Sequence, residues 1–180
     1  MSSFEISNLK ADDLPALRPL LTGSTFQPMR YLAKELGADL TDFWSRSIVD
    51  LAAGSAARAF LATRSGLPLG LLIYADNPWE TDLFGKKAAT IHTFVVDGSA
   101  PDKLQIAQSL LDDAIQDAAS RGTQFLLGKT YTDDLTCIHA LESRGFQLMD
   151  TVVDCVYDVR RTPLASIPVP ALPEGVTLRL

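Results

Sequence analysis

The stretch "NPWETDLFGKKAATIHTFVVD", Asn77 to Asp97, gathers residue types that could do chemistry. Glu80 and Asp82 stand beside Trp79, where two carboxylates could bind a substrate's amine; the plainer reading is a solvated loop that Trp79 and Phe84 anchor. His92 follows in a run of β-branched residues. Imidazole titrates near neutrality, which makes His92 the candidate general base. The competing reading is a hydrogen-bonded structural histidine within a strand. The other histidine, His139, has no partner in its own segment and reads as surface.

Other chemistries are excluded by type and spacing. The chain has two histidines, and no carboxylate pair is spaced like metal ligands, so a metal centre is not expected. It has neither a Gly-rich nucleotide loop nor a nucleophile elbow. Cys137 and Cys155 lie in apolar segments without metal-like spacing and read as buried free thiols. A net charge of −6 with scattered Lys and Arg argues against a nucleic-acid surface, because phosphate contacts need clustered positive charge. An anionic cofactor would have to be held by local backbone amides. The longest apolar runs are too short to cross a membrane and the N-terminus lacks a signal pattern, so the expectation is a cytoplasmic protein.

The elements that must position these residues can be read from periodicity. The 180 residues, 47% hydrophobic and 21% charged, suit one ordinary domain with a sizeable core. "FEISNLKADDLPALRPLL" reads as a short strand and a helix capped by Asp12, with Leu14, Leu17, Leu20 and Leu21 on one face. "LTDFWSRSIVDLAAG" is a second helix, started by Thr41 or Asp42 and ended by Gly54. "ARAFLATRSGLPLGLLIYA" predicts a hairpin turning at Gly66 and Pro68, and "KAATIHTFVVD" a third strand. A long helix follows with Pro101 in its first turn and Gly122 at its close, then the strand "TQFLLGKTYTDD". A short helix capped by Asp133 or Asp134 ends at Gly145, with Phe146 packing back. "FQLMDTVVDCVYDVRR" is expected to add one or two buried strands marked by Val152, Val153, Val156 and Val159. The order β, α, α, β, β, β, α, β, α, β describes an α/β fold with a mixed sheet. Residues 1–160 form the expected domain. Residues 161–180, with Pro163, Pro168, Pro170 and Pro173, read as an extended linker whose closing "GVTLRL" either begins a second domain or adds an edge strand to the first sheet.

This order and several phrases resemble the GNAT N-acyltransferase superfamily, and "PWETDLFGKKAATI" is similar to a pattern in relatives of dTDP-fucosamine acetyltransferase. The resemblance spans roughly Ala59 to Asp158. It rests on Trp79 to Gly85, on the strand and long helix from Ile91 to Ala118, and on "DDLTCIHALESRGF". It implies a mostly antiparallel sheet with a β-α-β cofactor unit, and transfer of an acetyl group from acetyl-CoA to the amine of a small molecule such as an amino sugar. It implies that Phe94, Val95 and Val96 line the pantetheine arm, that the start of the long helix holds the pyrophosphate through Lys103, Gln105, Ile106 and Ala107, and that Asp134 stands where the family has an asparagine. Trp79, Glu80 and Asp82 would then face the acceptor. The sequence departs from the family's pattern at three points: Asp102 brings negative charge to the phosphate loop, Gln105 replaces a glycine, and Leu141 replaces the tyrosine that protonates the leaving thiolate, a role open to Tyr131, whose competing reading is a turn residue with its ring packed on the core. These departures define an alternative, a degenerate GNAT-like domain that supports or dimerises with a sister domain in a tandem protein. A binding module with a pocket of Phe43, Trp44 and Trp79 is a third expectation.

Overall fold

The computed structural model describes residues 3–24, 40–53 and 57–152. Met1–Gln147 form one compact unit and Leu148–Leu180 a second, of which 148–152 are described and carry no helix or strand. In the first unit the elements run β1 (Glu5–Asn8), a 3-10 helix (Ala11–Leu17), α1 (Arg18–Gly23), α2 (Thr41–Ala53), β2 (Ala57–Arg64), β3 (Leu67–Asp76), α3 (Pro78–Phe84), β4 (Ala88–Val96), α4 (Lys103–Ser120), β5 (Phe125–Gly128) and α5 (Leu135–Ser143). The five strands form one sheet in the order β1-β2-β3-β4-β5. Its first three junctions are antiparallel and β4–β5 is parallel. The mixed α/β sheet and its β4-α4-β5 crossover are those expected from the sequence.

Period-two alternation divides the sheet's side chains between two cores. Phe60, Leu72, Tyr74, Ile91 and Phe94 pack with Ile106, Leu110 and Leu111 of α4 and Cys137 and Ala140 of α5. On the other face Leu61, Leu71, Ile73 and Val95 meet Leu17, Leu20, Leu21, Trp44 and Ile48. The long helix lies so close to β3 that a Cβ at Gly70 would stand 2.8 Å from Leu110 Cδ1 and 3.2 Å from Ile106 Cγ2. Glycine at this point sets the helix-to-sheet distance.

Both ends of α4 are held by charge. At its start Asp102 pairs with Arg64 of β2. At its end the Tyr74 hydroxyl donates to Asp117, and Arg121 Nη2 lies 3.4 Å from Asp76 Oδ2. Burial, and then the bond to Asp117, holds the Tyr74 phenol above its usual titration range. Arg144, just past α5, grips Asp112 of α4 through Nε at 2.5 Å and Nη2 at 2.7 Å.

Several local expectations are corrected. The stretch after Asn77 is a helix rather than a loop: the Asn77 side chain accepts from Glu80 N, Pro78 suits the first turn, and Gly85 closes the helix at φ 63°. The hairpin turns at Ser65 and Gly66, both at positive φ, and Pro68 belongs to β3 beside a register shift, where a residue without an N–H is tolerated. Asp12 does not cap the first helix; the Lys10 N–H donates to Asp13 Oδ2 at 2.8 Å. The expected final strand is absent from 147–152, where Val152 is 71% exposed. Val153, Val156, Val159, Cys155, Gly54 and the 161–180 linker lie outside the described residues. Cys137 is a buried free thiol, as expected. No described helix is long and apolar enough to cross a membrane.

Gly70→Ala is expected to lower stability by about 1–3 kcal/mol through overpacking against Ile106, Leu110 and the Val95 carbonyl. Urea denaturation followed by circular dichroism measures this, and an unchanged midpoint would show that α4 can move away at no cost.

Candidate active site

The sheet opens between β4 and β5. The β3–β4 ladder runs to Val96, whereas β4 and β5 pair only from Ala88 with Phe125 to Ile91 with Gly128. Tyr74 faces Ile91 while the next residue back, Ile73, faces Thr93, so His92 is the extra residue of a β-bulge. The bulge resets the pleat. Ile91 and Phe94, three apart, both enter the α4 core, while Thr90, opposite Ala75, and Val95, opposite Leu71, share the other face.

The phase of the ladder then decides which peptide groups are available. Asp97 N donates to Leu69 O at 2.8 Å, so alternation turns the backbone of Val95 toward β3 and that of Phe94 and Val96 toward the opening. Independent support comes from Cys137 Sγ, which approaches Phe94 O at 3.6 Å from the α5 side. Of the three residues expected to line a cofactor arm, Phe94 and Val96 present backbone there and Val95 does not. The side chains of Phe94 and Val95 are both in the core.

His92 is exposed at this break. Partial desolvation of the ring, exposed as the residue is, pushes its pKa below the ordinary 6.5, the Lys129 cation just past β5 pushes the same way, and Glu80 opposes both. The net effect favours the neutral imidazole. Glu80 is held in place: its Oε2 accepts from Asn77 Nδ2 at 2.8 Å and from Thr90 Oγ1 at 3.0 Å. Thr81 fastens the same helix, donating to Asn77 O at 2.8 Å and accepting from Ala88 N at 2.9 Å. Asp82 and Trp79 point into solvent, Trp79 at 70% exposure. Trp44 is buried while Phe43 is exposed, so Phe43, Trp44 and Trp79 do not share a pocket.

At the start of α4, Asp102 occupies the N-cap position without capping: its side chain makes no cap hydrogen bond and turns instead to Arg64 Nη2. Lys103 N donates to Ala100 O at 3.2 Å and Ile106 N to Asp102 O at 3.0 Å. The first-turn amides of Leu104 and Gln105 are the ones with no intrahelical carbonyl. Lys103 is exposed, with Nζ 3.2 Å from Gly98 O, and Gln105 is exposed. Ile106 and Ala107 were expected at a cofactor. Both side chains are instead wholly buried in the core, and their amides belong to the helix ladder.

Beyond β5, Thr130 Oγ1 is buried with no hydrogen-bond partner among the described residues. Tyr131 follows on the same loop, half-buried, with its carbonyl accepting from Asp134 N at 3.1 Å. The Asp134 carboxylate is 8% exposed and caps α5 by accepting from Cys137 N at 3.1 Å, so it faces its own helix. Burial, then Asp134, keeps the Cys137 thiol protonated well above its usual range. Among the described residues no cluster of His, Cys, Asp and Glu could hold a metal. A separate cleft of about 240 Å³ lined by Pro19, Leu20, Gly23, Pro68 and Asp97 carries one ionisable group, Asp97, whose Oδ1 is bonded to Ser99.

Sequence reasoning named His92, Glu80 and Tyr131 but missed Asn77, Thr90, Lys129, Arg64 and Thr130. Asn77 was legible as an asparagine directly before Pro78 at a helix start. The others carry no sequence signal, because only the tertiary fold brings them beside their partners.

No protein-family model matches the chain, and no curated protein is significantly similar to it. Solved structures do match. A ribosomal-protein-alanine N-acetyltransferase from Brucella melitensis biovar Abortus 2308 aligns at TM-score 0.61 and 20% identity over 87% of this chain and all of that one. A transcriptional regulator from Bacillus halodurans C-125 aligns at 0.66 and 18% over 86% of this chain and all of that one. An aminoglycoside N-acetyltransferase, AAC(6')-Iy, solved with CoA, aligns at 0.60 and 11% over 87% of this chain and 96% of that one. At these identities the likeness shows the fold, and the fold is the GNAT acetyltransferase one expected from the sequence.

The titration midpoint of His92, read from its Cε1–H resonance by NMR, is expected below 6.5. Lys129→Ala should raise it by removing a cation that disfavours the imidazolium. A midpoint at or above the ordinary value in the unmodified protein would remove His92 as a base that is neutral at pH 7.

Proposed function

We propose that the chain is an N-acyltransferase moving an acetyl group from acetyl-CoA to the primary amine of a small molecule, an amino sugar being the class that the Trp79 to Gly85 phrase favours. One observation carries this reading: the bulge at His92 and the end of β4–β5 pairing at Ile91 and Gly128 leave the peptide groups of Phe94 and Val96 facing an opening beside a candidate base. The fold likeness to an aminoglycoside N-acetyltransferase solved with CoA supports it.

The residues present fit coenzyme A. The Leu104 and Gln105 amides at the start of α4 are uncapped, which suits an anion at the positive end of the helix dipole. Asp102, the residue that argued against a phosphate there, has its charge matched by Arg64. Lys103 is at hand, and the Thr130 hydroxyl, without a partner among the described residues, lies near the end of β5. When bound, acetyl-CoA would supply a thioester carbonyl for the amine to attack, with the sulfur departing as thiolate. His92 takes the proton that the ammonium must lose before its nitrogen is nucleophilic. The N–H groups of Phe94 and Val96 donate into the opening, and Tyr131 is the phenol nearest in sequence to the end of β5 for the proton the sulfur needs. Glu80 faces the acceptor side, whereas Trp79 and Asp82 on the same helix are exposed to solvent.

A second reading, a related domain that no longer catalyses and supports a partner domain, is favoured by Leu141. The resemblance places an acid tyrosine there, and the leucine packs against the α4 core instead. The two readings part on turnover: both allow cofactor binding, and only the first predicts thiol release in the presence of an amine panel.

Calorimetric titration with acetyl-CoA is expected to show saturable binding. Arg64→Met should weaken it roughly tenfold, about 1.4 kcal/mol, by leaving the Asp102 charge uncompensated at the helix start. The absence of both heat and thermal shift at millimolar acetyl-CoA would overturn both readings as cofactor-binding proteins.

A further inference from the structure

We infer that the Asn77–Glu80–Thr90 cluster is the seat of the acceptor's ammonium group, with Glu80 as its carboxylate and Asn77 and Thr90 as the residues that position it. The inference deepens the amine acyl-transfer reading and rests on it.

The first ground is charge. Asp76, Asp102, Asp112 and Asp117 each face an arginine or lysine within 4.0 Å. Glu80 is half-buried, and its side-chain partners among the described residues, Asn77 Nδ2 and Thr90 Oγ1, are neutral. Lys87, three residues past the same helix, is directed to Asp76 and Arg121 O. The helix does not require the charge, because its cap is the Asn77 Oδ1 bond to Glu80 N at 3.1 Å, which any residue but proline at position 80 could donate. A partly desolvated carboxylate fixed by neutral donors favours an incoming cation.

The second ground is position. Thr90 belongs to the last paired stretch before the opening, opposite Leu127, one residue short of the Ile91–Gly128 pair. Glu80, bonded to Thr90, therefore lies at the edge of the opening and within electrostatic reach of His92, whose other charged neighbour is Lys129. An ammonium seated on Glu80 is thus held near the group that must deprotonate it. Asp82 is exposed and bonded to neither strand residue, so it has no part in the seat.

The third ground is geometry, and it narrows the substrate class. Oε2 already accepts two hydrogen bonds, which leaves Oε1 to receive the cation. A guanidinium binds best through a fork using both carboxylate oxygens. An alkyl ammonium, a point charge with rotatable N–H donors, needs one. The seat is therefore selective for primary ammonium groups over guanidinium groups.

The test uses the full chain and the His92 Cε1–H resonance, with His139 as internal control, during titration with propylammonium chloride or methylguanidinium chloride at matched ionic strength. Propylammonium is expected to shift His92 saturably and to leave His139 still, with methylguanidinium at least tenfold weaker. Glu80→Gln keeps size and accepting oxygen and should weaken the propylammonium response at least tenfold without a comparable loss in thermal midpoint; Glu80→Ala gives the same reading if Gln does not fold. Asp82→Asn should leave the response unchanged. Thr90→Ser should retain it and Thr90→Val lose it. An unchanged response in the Glu80 variants, equal binding of the two cations, or a still His92 resonance overturns the ammonium seat, and an intact response in Thr90→Val overturns the positioning role. Acetyl-CoA calorimetry on the same samples separates the failures: binding of acetyl-CoA without propylammonium sinks this inference alone, and loss of both sinks the acyl-transfer reading with it.

Discussion

One extra residue in one strand governs this molecule. With His92 inserted between the residues that face Tyr74 and Ile73, β4 keeps its antiparallel partner and leaves its parallel one. A ladder cannot serve both neighbours across a bulge, because the pleat and the direction of the peptide groups are reset there. The cost is an irregular strand in the middle of the sheet, with the peptide groups of Phe94 and Val96 outside the β4–β5 ladder among the described residues. Unpaired backbone inside a sheet is tolerated where something else can meet it, and Cys137 meets part of it at Phe94 O.

The rest of the fold holds that irregularity in place. Gly70 lets α4 lie close over β3, and ion pairs fasten the helix at Arg64, Asp76 and Asp112. The pairing of Asp102 with Arg64 has a second effect. A carboxylate at an N-cap ordinarily satisfies its own helix; here it is drawn away, so the first-turn amides stay open and the local charge is balanced. On the other face Asn77 and Thr90 do the corresponding work for Glu80, turning a helix cap into a fixed carboxylate. Two polar clusters result, one at the start of α4 with first-turn amides left uncapped and one at Glu80 with a carboxylate held by neutral donors among the described residues.

Where the reading from sequence fell short, local signals competed with each other. "NPWETDLFG" has the asparagine, proline and glycine of a short capped helix, yet its charges and exposed Trp79 look like loop composition. Pro68 looked like a turn residue because the irregular point in β2–β3 pairing, which accommodates it, does not exist until the two strands pair. Ile106 and Ala107 were placed near a cofactor by their position in the chain, whereas the helical period turns them inward. Asp102 appeared as an unbalanced charge because Arg64, its partner, lies 38 positions away.

The sequence by itself determined most of the strands and helices, the mixed sheet and the presence of His92 and Glu80 in one short stretch, though not the short helix Pro78–Phe84. Those are properties of periodicity, capping and residue type, which act over a few neighbouring positions. Only the tertiary structure decided that His92 is the bulged residue, that Phe94 and Val96 but not Val95 face the opening, and that Asp102 is paired with Arg64 while Glu80 meets only neutral donors among the described residues. Hydrogen-bond phase and charge compensation depend on which strands and side chains meet across the fold, and no spacing along the chain records that.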